Sequence, residues 1–276
     1  MSRALFWTTL KLSQWAIAAW AVLLILYGML ILLLYPVIQE SSGAVLDDYL
    51  RTLPEAMLNA MGMTQEVLDK ILVEGGFTIS GFLGTEYLAW WPVMAGIYAF
   101  MFGSGAVARE VERGTMELLL SHPISRAQVV TSKFLAFLSI AGLLVSASVA
   151  GIALGVLLID ESLDMVRVFL VTLQGGMAVV AIAAYSMLIS CITLDPRKAM
   201  ALAGGVMAIQ YIVSLLGPLL DSFAWVQKLS LFYYYRPMEI IVRGNLSISS
   251  VLVYLGVTAV CFAAALVVFQ RRKAVV

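Results

Sequence analysis

Covalent or metal chemistry needs nucleophiles, bases or ligands that meet in space, and this chain has few. The sole histidine is His122, and the two cysteines, Cys191 and Cys261, sit inside apolar stretches. A catalytic zinc site usually takes three protein ligands, often His. None of H-E-x-x-H, C-x-x-C or G-x-S-x-G occurs, and there is no G-x-x-x-x-G-K-[ST] phosphate loop. A membrane protease or hydrolase is therefore disfavoured. Any nucleotide energy the protein uses must come from another polypeptide. The cysteines read as buried small apolar residues.

Charge is concentrated instead in one stretch. Residues 109–133 read REVERGTMELLLSHPISRAQVVTSK. A charged helical extension through Arg109–Arg113 is weakened at Gly114. Thr115 then caps a short helix over Met116–Ser121, with Glu117 near its positive N-terminal end. His122-Pro123 stops that helix, because the residue before proline avoids helical backbone. Ser125-Arg126-Ala127-Gln128 is a capping box that launches the next helix. Between the charges, Leu118, Leu119 and Leu120 form an apolar knob. Either a groove on a soluble partner or the lipid interface would take it.

The elements that position this stretch follow from the spacing of charges. Only 12 % of residues are charged and 62 % are hydrophobic, against about 25 % charged in a soluble domain. Uncharged windows of 28, 22, 26, 27, 22 and 27 residues separate Lys11 from Glu40, Glu86 from Arg109, Lys133 from Asp160, Arg167 from Asp195, Lys198 from Asp221 and Arg243 from Arg271. A helix crosses a bilayer with roughly 20 apolar residues. The reading is an all-α polytopic membrane protein with transmembrane helices at 15–35, 87–108, 132–158, 168–194, 199–220 and 249–270. This excludes a soluble enzyme, a nucleic-acid binder and a β-barrel, whose strands would alternate. The apolar core Trp15–Tyr35 is too long for a secretory signal, so the first span is read as uncleaved and as ending at Pro36. Residues 1–14 suit an interfacial helix, or an extension of that span.

Six spans put both termini on one side. That side holds 11 basic residues and 4 acidic ones, leaving 6 basic and 13 acidic on the other, so the zero net charge hides an asymmetry of seven charges each way. Arg3, Lys11 and Arg271-Arg272-Lys273 mark the basic side, and by the positive-inside rule both termini are expected in the cytoplasm.

Two outer segments are expected. Residues 37–85 are too long for a mere connector and read as two short amphipathic helices, one of them starting near Thr64. Residues 221–247 are amphipathic and aromatic, with Phe232, Tyr233, Tyr234 and Tyr235 at headgroup level. Gly151-x-x-x-Gly155 in the third span is a close-packing face and a weak pointer to a dimer seam. No charged residue lies in the middle of a span, which disfavours a proton- or sodium-coupled carrier. Gln174, Ser186, Ser190 and Gln210 lie in spans, where they would line a path or bond between helices. No substrate path is assigned.

The run Glu112-x-Gly114-Thr115-x-Glu117-Leu118-Leu119-Leu120-Ser121-x-Pro123-x-Ser125-Arg126 resembles the signature that follows the second span in the ABC-2 type permease family. The six-span plan with its large first outer loop is similar as well. The resemblance implies an ABC-2 (type V exporter-like) permease fold, in the cytoplasmic membrane of a prokaryotic cell. It also implies two ATP-binding subunits and a second permease, identical or homologous, with ATP and Mg2+ held by the ATPases and no cofactor in this chain. In that family the helix between spans 2 and 3 is the coupling helix. Carried onto this chain, the coupling loop is 109–131 and its contact residues are Glu110, Glu112, Arg113, Gly114, Thr115, Glu117, Leu118, Leu119, Leu120, Pro123, Ser125 and Arg126. No catalytic residue is implied and no nucleic acid is expected as a partner. The function implied is export; the aromatic and methionine-rich spans would suit an amphipathic, drug-like or lipid-like substrate, and ordinary apolar packing gives the same composition. The alternative is a non-transporting ABC membrane subunit that passes ATP-driven motion to an extracellular partner.

Overall fold

A computed structural model describes residues 2–60, 64–73, 76–121, 123–159, 161–217 and 225–272. His122, Lys273 and the first residues of the 221–247 segment lie outside them. The first helix, α1, runs from Arg3 to Thr52. Short helices α2 (Glu55–Ala60) and α3 (Gln65–Ile71) follow, then a two-residue antiparallel hairpin pairing Leu72 with Phe77. Next come α4 (Ile79–Leu83), a π-turn (Gly84–Leu88), α5 (Trp91–Gly105), α6 (Ala108–Glu112) and α7 (Thr115–Ser121). The long helices α8 (Arg126–Ile159), α9 (Met165–Thr193) and α10 (Pro196–Leu216) are followed by two 3-10 turns, α11 (Pro237–Arg243) and α12 (Ile248–Arg271).

The helix starts are set by local chemistry. Asp164 accepts hydrogen bonds from the Val166 and Arg167 N–H groups at 3.0 and 3.3 Å and so starts α9. Asp195 does the same for α10 through Arg197 and Lys198, with Pro196 in the first turn, where its missing N–H costs nothing. Thr64 accepts from the Val67 N–H at the start of α3, and Ser2 from the Leu5 N–H at the start of α1.

The helical runs alternate in direction. At one end the Ser2 N–H donates to Ser132 Oγ (2.9 Å), Arg126 reaches the Phe269 carbonyl (3.3 Å) and Arg272 reaches the Ile192 carbonyl. Both ends of the described chain therefore meet the α8 start and the α9 end. At the opposite end Tyr27 donates to the Glu86 carbonyl, Arg167 to the Ile241 carbonyl and Ser230 to the Gln210 carbonyl. α1 leaves the terminal end, 79–112 returns to it, α8 leaves, α9 returns, α10 leaves and α12 returns.

α9 is the central element, with 72 % of its most apolar stretch buried against 11–33 % in the other long apolar helices. It lies against α5, α8, α10 and α12. Small residues permit the closest approaches. A Cβ on Gly103 would stand 2.6 Å from the Ala183 carbonyl, and one on Gly151 would stand 2.6 Å from Ile25 Cα. The Gly151–Gly155 face therefore closes on α1 of the same chain.

Two expected boundaries are corrected, and one open alternative is decided. Pro36 does not end the first helix: it lies inside α1, which continues to Thr52. One absent N–H leaves most of the helical ladder intact, and a long membrane helix tolerates that loss. Of the two readings of the N-terminal residues, the structure shows the extension: 3–14 are one continuous helix with the first span, with no break near Gln14. The second span is also interrupted. Among the described residues, five helices are long and apolar enough to cross a bilayer: Arg3–Glu40 within α1, and α8, α9, α10 and α12. α5 has only 15 residues, about 22 Å at 1.5 Å per residue. The π-turn and the Ala89-Trp90 turn before Pro92 separate it from α4.

Candidate functional site

The charged stretch folds as a helix–joint–helix at the end where the termini meet. α5 stops at Gly105, and the break leaves backbone donors without helical partners. Ser190 of α9 satisfies them, accepting from the Val107 and Ala108 N–H groups at 3.1 and 2.9 Å. Arg109 folds back over Gly105 and donates to the Met101 carbonyl (3.1 Å); any side chain on Gly105 would collide with that guanidinium. α6 ends at Glu112, and two residues on Gly114 has a φ of +67°, left-handed backbone that favours glycine. α7 then leaves in a new direction.

Glu110 and Lys133 join the two sides of the loop. Lys133 Nζ lies 2.5 Å from Glu110 Oε1, with the two side chains 7 % and 23 % exposed. The Thr115 hydroxyl donates to the same carboxylate, so the first residue of α7 is tied to α6 and α8 together. Burial works against the charged form of Glu110. Lys133, with the Thr115 hydroxyl and the nearby Arg113, outweighs it and holds the carboxyl below its ordinary pKa.

α7 has an inner and an outer face. Met116 is fully buried and Leu119 packs beside it, in a cluster with Val107, Val129, Val130, Phe134, Met187 and Phe269. Leu118 is 67 % exposed. Consecutive residues on a helix cannot share a face, whereas positions three apart can. The leucine run is therefore not a single knob: Leu119 anchors the helix and Leu118 faces outward. The Leu120 side chain and His122 lie outside the described residues.

The other candidate residues divide in the same way. Glu112, Arg113, Glu117 and Pro123 are exposed. Arg126 turns away from them. It donates to the Phe269 and Arg272 carbonyls and lies over the Phe269 ring at 5.7 Å, closing the C-terminal end of α12. The capping box is formed: Gln128 N–H donates to Ser125 Oγ (3.2 Å) and the Ser125 N–H to Gln128 Oε1 (2.9 Å). Beside α7, Arg109, Glu112 and Arg113 face Arg197 and Met200 of α10 across an open cleft of about 550 Å³. Lys133, Ser190 and Arg197 were not among the sequence-based site residues. The Lys133 at the motif's edge was the available signal, since a charge at the foot of a membrane helix needs a partner.

No cluster of three or more His, Cys, Asp and Glu residues fit to hold a metal occurs among the described residues. A bundle of long apolar helices with a short capped helix across the foot of its second and third runs defines a multi-pass membrane protein. The profile described as "ABC-2 family transporter protein" matches residues 13–274. The chain belongs to that family, and so is a permease-type membrane subunit of an ABC transporter. No curated protein matches the sequence with significance.

Proposed function

We propose that the chain exports an amphipathic, drug-like or lipid-like substrate across a prokaryotic cytoplasmic membrane, with both termini inside, driven by two ATPase subunits that bind and hydrolyse Mg2+-ATP. A second permease subunit completes the path. Six crossings are proposed, with the interrupted run 79–108 as the second. An even number is supported by the meeting of Ser2 and Arg272 at one end of the bundle.

The observation that carries the reading is the construction of α7: an outward Leu118 on a helix anchored by Met116 and Leu119 and tied by Thr115 to the Glu110–Lys133 pair. A coupling element has to present a surface to the motor and be rigidly joined to what it moves. Here Glu110 and Thr115 pass a push on α7 to α8, and Ser190 passes it to α9. ATP-driven closure of the ATPases would draw two such helices together and switch the path between the permeases from inward- to outward-facing.

The test is co-expression with a cognate ABC ATPase subunit, followed by transport in inverted vesicles. ATP-dependent accumulation of an amphipathic compound is expected. Stable assembly with the ATPase but no accumulation of any compound class would favour the non-transporting alternative.

A further inference from the structure

At the end of the bundle opposite α7, a chamber of about 750 Å³ opens between α9, the aromatic segment before α11, and the first turn of α12. Its lining includes Gln174, which is 1 % exposed. The Gln174 side-chain N–H donates to the Tyr234 carbonyl at 3.4 Å, and that acceptor fixes which way the amide points. Its Oε1 is left as a buried acceptor with no donor among the described residues. Buried polar atoms are nearly always paired, so an orphan at the wall of a cavity indicates a missing partner.

The electrostatics indicate the partner's charge. Lys228, Arg236 and Arg243 line the chamber against one lining carboxylate, Glu239, with Glu66 of α3 reaching Arg243 from outside it at 3.9 Å. Arg236 is bonded to Glu239 at 2.8 Å and lies 5.1 Å from the Tyr233 ring centroid. Lys228 has no ion-pair partner among the described residues. The N-terminal turn of the 24-residue α12 also lines the chamber. Its Ser247 side chain makes no capping bond, so that turn adds backbone donors. The surroundings suit an anion that also carries a hydrogen-bond donor.

We propose that this chamber binds a hydroxylated phosphate ester, with the phosphate held by Lys228, Arg243 and the start of α12, and a hydroxyl donating to Gln174 Oε1. The source that fits is a lipid headgroup. Ile248 and Leu252 of α12 are 76 % and 64 % exposed next to the chamber mouth, a continuous apolar wall for acyl chains. Trp225 and Leu229, which flank the chamber-lining Lys228 in sequence, are exposed apolar side chains as well. The site does not depend on the coupling reading, since binding is read without the ATPase.

The test is titration of the purified full-length chain in detergent, read by native mass spectrometry. The probes are phosphatidylglycerol and phosphatidylmethanol, which carry the same charge and differ in free hydroxyls. One saturable site with about tenfold preference for phosphatidylglycerol is expected, a ratio within reach of one hydrogen bond. Gln174→Leu should erase that preference, and Lys228→Gln should weaken both lipids several-fold. The lipid preference of the unaltered chain and the exposed Lys228→Gln variant keep the proposal open to test if Gln174→Leu does not fold. A failure of glycerol 3-phosphate to displace the lipid supports a membrane source; displacement at equal affinity supports the same chemistry from a soluble ester. Equal binding of the two lipids by the unaltered chain, or unchanged binding by Lys228→Gln, would overturn it.

Discussion

Glu110 and Lys133 are 23 positions apart, yet their charged atoms meet at 2.5 Å beneath α7. Each neutralises a charge the other could not carry alone in that setting. Removing one partner from a buried pair leaves an uncompensated charge, which typically costs about 3 kcal/mol or more. Lys133→Met is therefore expected to lower stability in detergent by that order. Combining it with Glu110→Gln, which removes both charges, should recover most of the loss. A double-mutant cycle of denaturation midpoints checks this, and strictly additive losses would show that the pair is not coupled.

The same pair sets a dependence on pH. The Glu110 carboxyl is held below its ordinary value by Lys133 and Thr115 despite burial. A depressed carboxyl contributes stability that is complete above its unfolded pKa, about 4.3, and is lost as pH falls through the lower folded value. The tie between α6, α7 and α8 should hold at neutral pH and loosen in acid. Hydrogen exchange of 108–121, measured on samples pre-equilibrated from pH 7 down to 3, should show that loosening. Glu110→Gln should remove that part of the pH dependence.

Leu118 and Leu119 are adjacent yet have opposite surroundings. Leu118→Asp places a charge on an exposed position, so insertion and thermal stability should be unchanged while co-purification with the ATPase is lost. Leu119→Asp places a charge among Met116, Val129 and Phe134 and should destabilise the loop itself. Equal co-purification of Leu118→Asp and the unaltered chain would move the docking surface off α7. Arg197→Glu, on the far wall of the adjoining cleft, should weaken assembly in part if the partner extends into it.

Gly114 is the joint between those two faces. Its left-handed backbone costs a residue with a Cβ about 1–2 kcal/mol, although open space surrounds it. Gly114→Ala is therefore expected to disturb the angle between α6 and α7 without a clash. The readout is ATPase stimulation by the assembled complex, expected to fall several-fold at unchanged expression. A change to Asn, which tolerates this backbone better, should fall less.

What could be read from the chain alone was what depends on near neighbours. The Ser125–Gln128 box, the Thr64 cap and the two outer helices rest on residues three or four apart, and all are present. Contacts that depend on tertiary placement were not readable. Nothing local pairs Glu110 with Lys133, sends Ser190 to the broken end of α5, or sets Gln174 in the wall of a chamber. Pro36 misled because its cost to a long helix is one hydrogen bond, which the remaining turns absorb. A run of three leucines showed apolarity without direction, and only the anchoring of Met116 settles which of them turns out.

Gly151 tests where a small-residue face goes. Its pattern suits either an intermolecular seam or a fold inside one chain. The approach to Ile25 assigns it to α1 against α8, since a Cβ would stand 2.6 Å from the Ile25 backbone. Backbone cannot yield as a flexible side chain does, so Gly151→Leu must separate the two helices. Overpacking of this kind typically costs about 1–3 kcal/mol, occasionally more. The expected outcome is a lower melting temperature, with faster proteolysis between α1 and α8, in a chain whose association with a second permease is unaltered. If Gly151→Leu instead left the melting temperature untouched and abolished cross-linking between permease subunits, the seam would lie between chains rather than within one.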